Sequence, residues 1–259
     1  MERFTHALLR LPGENFAQGL TQSGEGAPDP ALALEQHRRY RAALEAQGIS
    51  LTLLPADPRH PDGCFVEDTA LLTARGAILT RPGAPSRRGE IDAIESALKA
   101  AFPELARIDA PGTVDAGDVC EADGHFLIGL SARTNEAGAA QLAGLLGDLG
   151  YRSDCIDIRA IQALLHLKSG ITYLGEGRLL ATRDLPHHPA LAAYERIDVP
   201  AAETYAANAL RVNDRVLVAA GYRQARAAIE SLGFETVALE MSEFRKLDGG
   251  LSCLSLRWQ

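Results

Sequence analysis

A phrase of roughly 40 to 50 residues recurs along this chain, and no other feature limits its fold so tightly. Each copy reads as apolar strand, tight turn, apolar strand, polar loop, helix and strand. "FVEDTALLTARGAILTRPG" predicts two strands about a turn at Ala74–Gly76, and "EIDAIESALKAAF" then places Ile91, Ile94 and Leu98 on one helical face. The phrase restarts at "VDAGDVCEADGHFLIGL", where Asp123-Gly124 is a hairpin signal, and continues into the helix "EAGAAQLAGLLGDLG". A third copy, "LHLKSGITYLGEGRLLATRD", turns at Gly175–Gly177 and is followed by a short helix near "PALAAY". The fourth, "AANALRVNDRVLVAAG", turns at Asn213-Asp214, and Gly233 closes its helix "RQARAAIESLG".

A fifth copy begins at "GGLSCLSLRW" and runs out of chain. Its missing half opens the sequence: "FTHALLR", a loop, the helix "PALALEQHRRYRAALEAQG" and the strand "ISLTLLP". The copies start near Phe65, Ala116, Leu165, Ala207 and Ser252. A fifth unit split between the two ends would close a ring and leave no free sheet edge. No linker, low-complexity tract or charge block divides residues 1–259, so one α/β domain of five modules is expected.

The formal charge of −8 argues against nucleic acid as a partner, because phosphate binding needs a basic face. It suits a cationic small molecule. Four cysteines lie far apart with no C-x-x-C pair, which reads as reduced thiols in cytoplasm. The opening "MERFTHALLRLPGENF" lacks a long apolar run and a small-residue cleavage site, so no signal peptide is expected. Nothing approaches 18 consecutive apolar residues, so no membrane contact is expected.

Chemically distinctive residues fall at matching places. The first strands are expected to begin with Glu67 and Asp68, with Asp115 and Asp118, with His166, with Asn208 and with Cys253. In a closed ring these starts converge on the axis, bringing carboxylates, an imidazole and a thiol into one cavity. Arginines recur after the second strands, as Arg87 and Arg88 in "SRRGE" and Arg133 in "SARTN". A thiol beside a histidine suits covalent catalysis, with the thiolate as nucleophile and the imidazole as acid and base. Neighbouring carboxylates raise a thiol's pKa, and they make sense if the substrate is a planar cation such as a guanidinium.

Plainer readings stand beside these. Cys64, Cys120 and Cys155 read as buried small hydrophobes. The double glycine before Cys253 favours close backbone approach, as at a ligand site. Asp115 and Asp118 flank an Ala-Gly pair, and either can be a turn residue, with Asp115 preferred for the site. Adjacent histidines in "PHHP", Pro186 to Pro189, read as a loop rather than a metal site, and no metal or organic cofactor is expected. "QGLTQSGEGAPDP" has the composition of a mobile loop over a site, or of a long connection.

"FVEDT", "GTVDAGD", "LHLKSG" and "KLDGGLSC", in this order and spacing, resemble the motifs of the dimethylarginine dimethylaminohydrolases, members of the guanidino-group-modifying, pentein-fold enzymes. The resemblance covers essentially the whole chain and implies a five-module, pseudo-symmetric α/β propeller. It implies that Cys253 is the nucleophile and His166 the general acid/base, with Asp115 grouped beside them. Asp68 and Asp115 would hold the guanidinium, and Glu67 would belong to the substrate-binding motif and organise the site. Asp62 and the backbone of Leu20 and Leu247 would hold the α-amino end, and Arg87 and Arg133 the α-carboxylate. Choosing Arg87 over Arg88 rests on the resemblance alone.

The implied reaction converts an Nω-methylated arginine to citrulline and methylamine or dimethylamine through a thiouronium on Cys253. The expected partner is that small molecule, with self-association as a homodimer left open. Other readings are an arginine deiminase-type hydrolase of another guanidino substrate and a non-catalytic pentein-fold binding protein. Deiminases of arginine usually carry an extra helical domain for which this chain has no room, and agmatine would leave Arg87 and Arg133 without a purpose. Amidinotransferase relatives are longer. A binding protein has no use for Cys253, His166 and the carboxylates together.

Overall fold

In a computed structural model describing residues 3–185 and 187–259, the repeats become five three-stranded sheets. The chain opens with strand β1 (His6–Arg10), helix α1 (Pro30–Glu45) and strand β2 (Ser50–Leu54). The Asp29 carboxylate caps α1 by accepting from the N–H groups of Ala31 and Leu32. Pro30 occupies the first helical position, where a missing N–H costs nothing. The next module is β3 (Ala70–Thr73), β4 (Gly76–Leu79), α2 (Ile91–Leu98) and β5 (Leu105–Arg107). It is followed by β6 (Val119–Ala122), β7 (His125–Leu130), α3 (Glu136–Asp148) and β8 (Arg152–Asp157). The third module has β9 (Ile171–Gly175), β10 (Arg178–Thr182) and β11 (Glu195–Val199), with only the 3-10 turn Pro189–Leu191 in place of a helix. The fourth has β12 (Leu210–Val212), β13 (Arg215–Ala219), α4 (Arg223–Ser231) and β14 (Glu235–Leu239). A short helix α5 (Ser242–Arg245) leads to β15 (Leu256–Trp258).

Every module pairs its first two strands antiparallel and its third parallel to the second. The split module obeys the same rule. Leu256 on β15 lies opposite Leu8 on β1 in antiparallel register, and β1 runs parallel to β2. The hairpin turns take the left-handed geometry their sequences favour, with Asp123 at φ 50° and Gly124 at 77°, Glu176 at 56° and Gly177 at 72°. Gly233, at φ 90°, ends α4 as expected.

The ring follows from how the modules share their cores. Leu8 and Leu256 of the split module pack with Val66, Leu79, Ile94 and Leu98 of the first whole module. Leu71 and Ile78 of that module pack with Val119, Phe126 and Leu142 of the next. Cys120 and Leu127 join Ile171 and Leu179, and Leu174 and Leu180 join Val216 and Val218. Leu210 and Leu217 close the cycle against Ala7, Leu9 and Tyr40. Each hydrophobic cluster is therefore built by two consecutive modules, and each module's buried surface depends on its neighbours. This is the five-module α/β propeller.

Two expectations are corrected here. The distinctive residues do not begin the first strands. They sit on short 3-10 segments, or at their edges, just before them: Val66–Thr69, Ala116–Asp118, Leu167–Ser169, Ala201–Ala207, which kinks at Glu203, and Ser252–Leu254. Cys155 is exposed rather than buried, because β8 is an outer third strand with most of its side chains toward solvent. Cys64 and Cys120 are buried. Among the described residues no helix is long and apolar enough to cross a membrane.

Candidate active site

The axial turns lie against one another, and successive side chains of a 3-10 turn diverge by about a third of a revolution. Neighbours in sequence therefore face different cavities. Asp68, His166 and Cys253 line a narrow cavity of about 30 Å³ together with Leu20, Asp62, Arg87, Arg133 and Leu247. Glu67, Lys168 and Ser252 instead line a second cavity of about 590 Å³. Eight of the ten expected site residues thus share one cavity. Asp115 stands behind His166, and Glu67 does not face that cavity. Its Oε1 pairs with Lys168 Nζ at 2.6 Å and its Oε2 accepts from Ser252 Oγ at 2.7 Å. Glu67 braces the turns instead of lining the site.

Asp68 is buried, with Oδ2 accepting from Arg87 Nη1 at 2.5 Å and Oδ1 from the Gly117 N–H at 2.9 Å. Burial raises its pKa, but His166 and Arg87 outweigh burial and hold the carboxyl at about 2. Asp115 accepts from the Gly83 N–H at 2.8 Å and pairs through Oδ2 with His166 Nε2 at 3.0 Å. For His166, burial disfavours the imidazolium, yet Asp68, Asp118 and the bond to Asp115 lift it to about 9. Asp118 is turned away from the cavity. It accepts from Ser131 Oγ (2.6 Å), Thr134 Oγ1 (2.7 Å) and the Leu167 N–H (2.9 Å), and burial pushes its carboxyl up to about 6.

Cys253 is partly buried, and its Sγ accepts a hydrogen bond from the Gly250 N–H at 3.4 Å. Burial first, then Glu67 and Asp68, push its thiol up to about 12. Both groups are thus held toward their protonated forms on one cavity, and a cation entering it would favour the thiolate.

The two arginines differ. Arg87 is buried, donating to Glu90 from Nε (3.0 Å) and Nη2 (2.8 Å), to the Phe65 carbonyl (2.9 Å) and to Asp68. One of its five N–H groups is left. Arg133 makes no ion pair within 4.0 Å among the described residues, and its charge reaches the Asp62 carboxyl, which it pulls downward. Arg88 donates to the Pro82 carbonyl at 3.2 Å and does not line the cavity. Asp62 accepts from the Leu20 N–H at 2.9 Å, and burial raises its pKa against the pull of Arg87.

Side-chain atoms of Asp68, Asp115 and His166 that are capable of binding metal lie within 4.8 Å of one another. These groups pair among themselves, His166 Nε2 lying 3.0 Å from Asp115 Oδ2 and 3.9 Å from Asp68 Oδ1. In "PHHP", His188 Nδ1 accepts from the Ala190 N–H at 3.2 Å and caps a 3-10 turn; Pro186 lies outside the described residues. Lys168 and Asn208 carry more of the site's architecture than their sequence positions suggest. Lys168 stands two residues after His166, inside "LHLKSG", and its partner Glu67 stands beside Asp68.

No family model matches the chain. It is 45% identical over 256 residues to N(G),N(G)-dimethylarginine dimethylaminohydrolase of Pseudomonas aeruginosa, covering 98% of this chain and 100% of that one. The structure of a Pseudomonas aeruginosa dimethylarginine dimethylaminohydrolase, a cysteine-to-serine variant complexed with citrulline, matches with a TM-score of 0.96 and 44% identity. That match covers 99% of this chain and 100% of the other. A histidine-to-glycine dimethylarginine dimethylaminohydrolase, an adduct with S-methyl-L-thiocitrulline, matches at 0.95 and 44%, covering 98% and 100%. With its five-module ring and its full-length identity, the chain belongs to the dimethylarginine dimethylaminohydrolase family.

Proposed function

We propose that the protein hydrolyses an Nω-methylated arginine, dimethylarginine or monomethylarginine, to citrulline and dimethylamine or methylamine. The observation that carries this reading is Cys253, His166 and Asp68 on one narrow cavity with Arg133. The relatives named above, one complexed with citrulline and one joined to a thiocitrulline, support it.

In this reading the guanidinium enters beside Asp68 and brings a further positive charge next to the thiol. Its charge lowers the thiol pKa, and the thiol proton leaves to solvent. Cys253 Sγ then bonds to the guanidinium carbon. The His166 imidazolium, favoured by its carboxylate neighbours, gives its proton to the methylated nitrogen as that C–N bond breaks. The neutral imidazole next takes a proton from water, whose oxygen adds to the thiouronium carbon. As the C–S bond breaks, the added hydroxyl gives up its remaining proton to the departing thiolate, which releases citrulline and restores the Cys253 thiol. Asp115 orients the imidazole, Arg133 and the remaining N–H of Arg87 meet the α-carboxylate, and Asp62 with the backbone at Leu20 and Leu247 meets the α-amino group.

A cavity of about 30 Å³ is far smaller than the roughly 300 Å³ or more of small-molecule pockets. In this reading loading widens the cavity, and Leu20 in its wall begins the segment that would move. That segment is tied down by Thr21 and Ser23, whose hydroxyls donate to the Lys246 carbonyl, and by Gln22, whose N–H donates to Asp248. The free thiols fit a cytoplasmic setting.

The test is a panel of asymmetric dimethylarginine, monomethylarginine, arginine and agmatine, with citrulline and released amine both measured. Citrulline and dimethylamine in equal amounts are expected from dimethylarginine. Ammonia from arginine, with the methylated substrates inert, would overturn the reading in favour of a deiminase.

A further inference from the structure

The fourth module sends no side chain into the narrow cavity, yet its 3-10 turn grips the turns that carry His166 and Cys253. Asn208, at the end of that turn, is buried. Its Nδ2 donates to the Lys168 carbonyl at 2.8 Å and to Ser252 Oγ at 3.1 Å. Its Oδ1 accepts from the Ser252 N–H at 3.1 Å. Lys168 lies two residues after His166, and Ser252 directly precedes Cys253. One side-chain amide, with both donors and its acceptor engaged, thus spans two turns that are far apart in sequence. Three residues earlier, the Tyr205 hydroxyl donates to the Gly249 carbonyl at 2.8 Å, holding the other shoulder of the nucleophile's turn.

The double glycine belongs to this device. A Cβ at position 250 would lie 2.4 Å from Asn208 Oδ1, so glycine there is what allows the amide to seat beneath the turn. At Gly250 the close backbone approach expected from "GGLSC" is an approach to Asn208, while Gly249 lines the narrow cavity.

We infer that Asn208, seconded by Tyr205, is the positioning residue that sets Cys253 against His166 in the reaction proposed above. An amide that merely satisfied buried backbone would need no simultaneous hold on both turns. Loss of that hold lets Sγ drift and lets water into the turn, and a misplacement of about 1 Å can cost about a hundredfold in rate.

The experiment uses the full chain with Asn208→Ala, Asn208→Asp and Tyr205→Phe. It measures kcat, citrulline affinity by calorimetry, and the pH profile of Cys253 alkylation by iodoacetamide. For Asn208→Ala, kcat is expected to fall about 10- to 100-fold. Citrulline affinity should stay within about threefold of wild type, and the alkylation midpoint should move down toward the ordinary thiol range as burial is relieved. Asn208→Asp keeps the acceptor for the Ser252 N–H but loses both donors, so it reports the same question if the alanine variant does not fold. Tyr205→Phe removes one bond and should lower kcat about threefold to tenfold with affinity unchanged.

An unchanged kcat in folded Asn208 variants overturns the inference, as does a parallel loss of kcat and affinity with an unmoved alkylation profile. The inference rests on the proposed activity, but the two fail separately. Wild-type turnover of dimethylarginine decides the activity, whereas citrulline binding and alkylation need no substrate to be turned over.

Discussion

Replacing Asp115 by asparagine tests the electrostatics of the site most directly. The carboxylate pairs with His166 Nε2 at 3.0 Å and is completely buried. Two unit charges about 3.5 Å apart attract by about 5 kcal/mol at an effective dielectric constant of about 20. His166 keeps Asp68 at 3.9 Å, and burial offsets part of the attraction, so the change in titration midpoint is expected to be about one to three pH units. The introduced amide would also turn an N–H toward Nε2, which favours neutral imidazole and pushes the same way. From about 9 the midpoint therefore falls toward neutrality. At pH 7 the imidazolium form should drop from roughly a hundredfold excess to near parity. Protonation of the leaving amine then weakens while activation of water improves, so the alkaline limb of the kcat profile moves to lower pH. The assay is an NMR titration of ring-labelled histidine, with the His166 signal identified by its absence in His166→Gly. A midpoint that moves by less than about half a pH unit, or upward, refutes the assignment of Asp115 as the imidazole's partner.

Arg133→Ala should raise the dissociation constant of substrates bearing an α-carboxylate about 10- to 150-fold, the loss of one charge-assisted hydrogen bond. An equal loss for agmatine would mean that Arg133 serves the fold. Arg87→Ala should instead destabilise the protein by about 3–5 kcal/mol, because Asp68 and Glu90 stay buried without their cation. Urea unfolding measures this, and a change below about 1 kcal/mol would contradict the buried pairing. Cys253→Ser should abolish turnover while retaining citrulline binding, since the carboxylates and arginines remain. Activity above about a tenth of wild type would place the nucleophile elsewhere.

The modular plan was legible because turn chemistry and apolar spacing are local signals. Asp123-Gly124 and Asn213-Asp214 mark hairpins by themselves, and Ile91, Ile94 and Leu98 announce one buried face. The converging starts could be found because the repeat aligns Asp68, Asp115, His166 and Cys253. Sidedness could not. A 3-10 turn of three or four residues has no periodicity to read, so nothing local separates Glu67, which faces Lys168, from Asp68, which faces the cavity. Arg87 reads as a surface arginine in "SRRGE", and its burial depends on Asp68, 19 positions away. Asn208 stands at a matching position, but its role needs contacts with residues 40 positions upstream and 44 downstream.

The brace of Glu67, Lys168 and Ser252 has a consequence for traffic. These side chains line the wide cavity, while their sequence neighbours Asp68 and Cys253 line the narrow one, so the brace stands between the reacting groups and the wide cavity. If the brace bars passage on that side, the traffic shares one opening: the amino acid inward, the amine outward, then water inward and citrulline outward. Water would then follow the amine through that opening, and the order of events would be set by occupancy as much as by chemistry. Dimethylamine would leave before the thiouronium is hydrolysed, and amine that lingers in the opening would send the intermediate back to substrate.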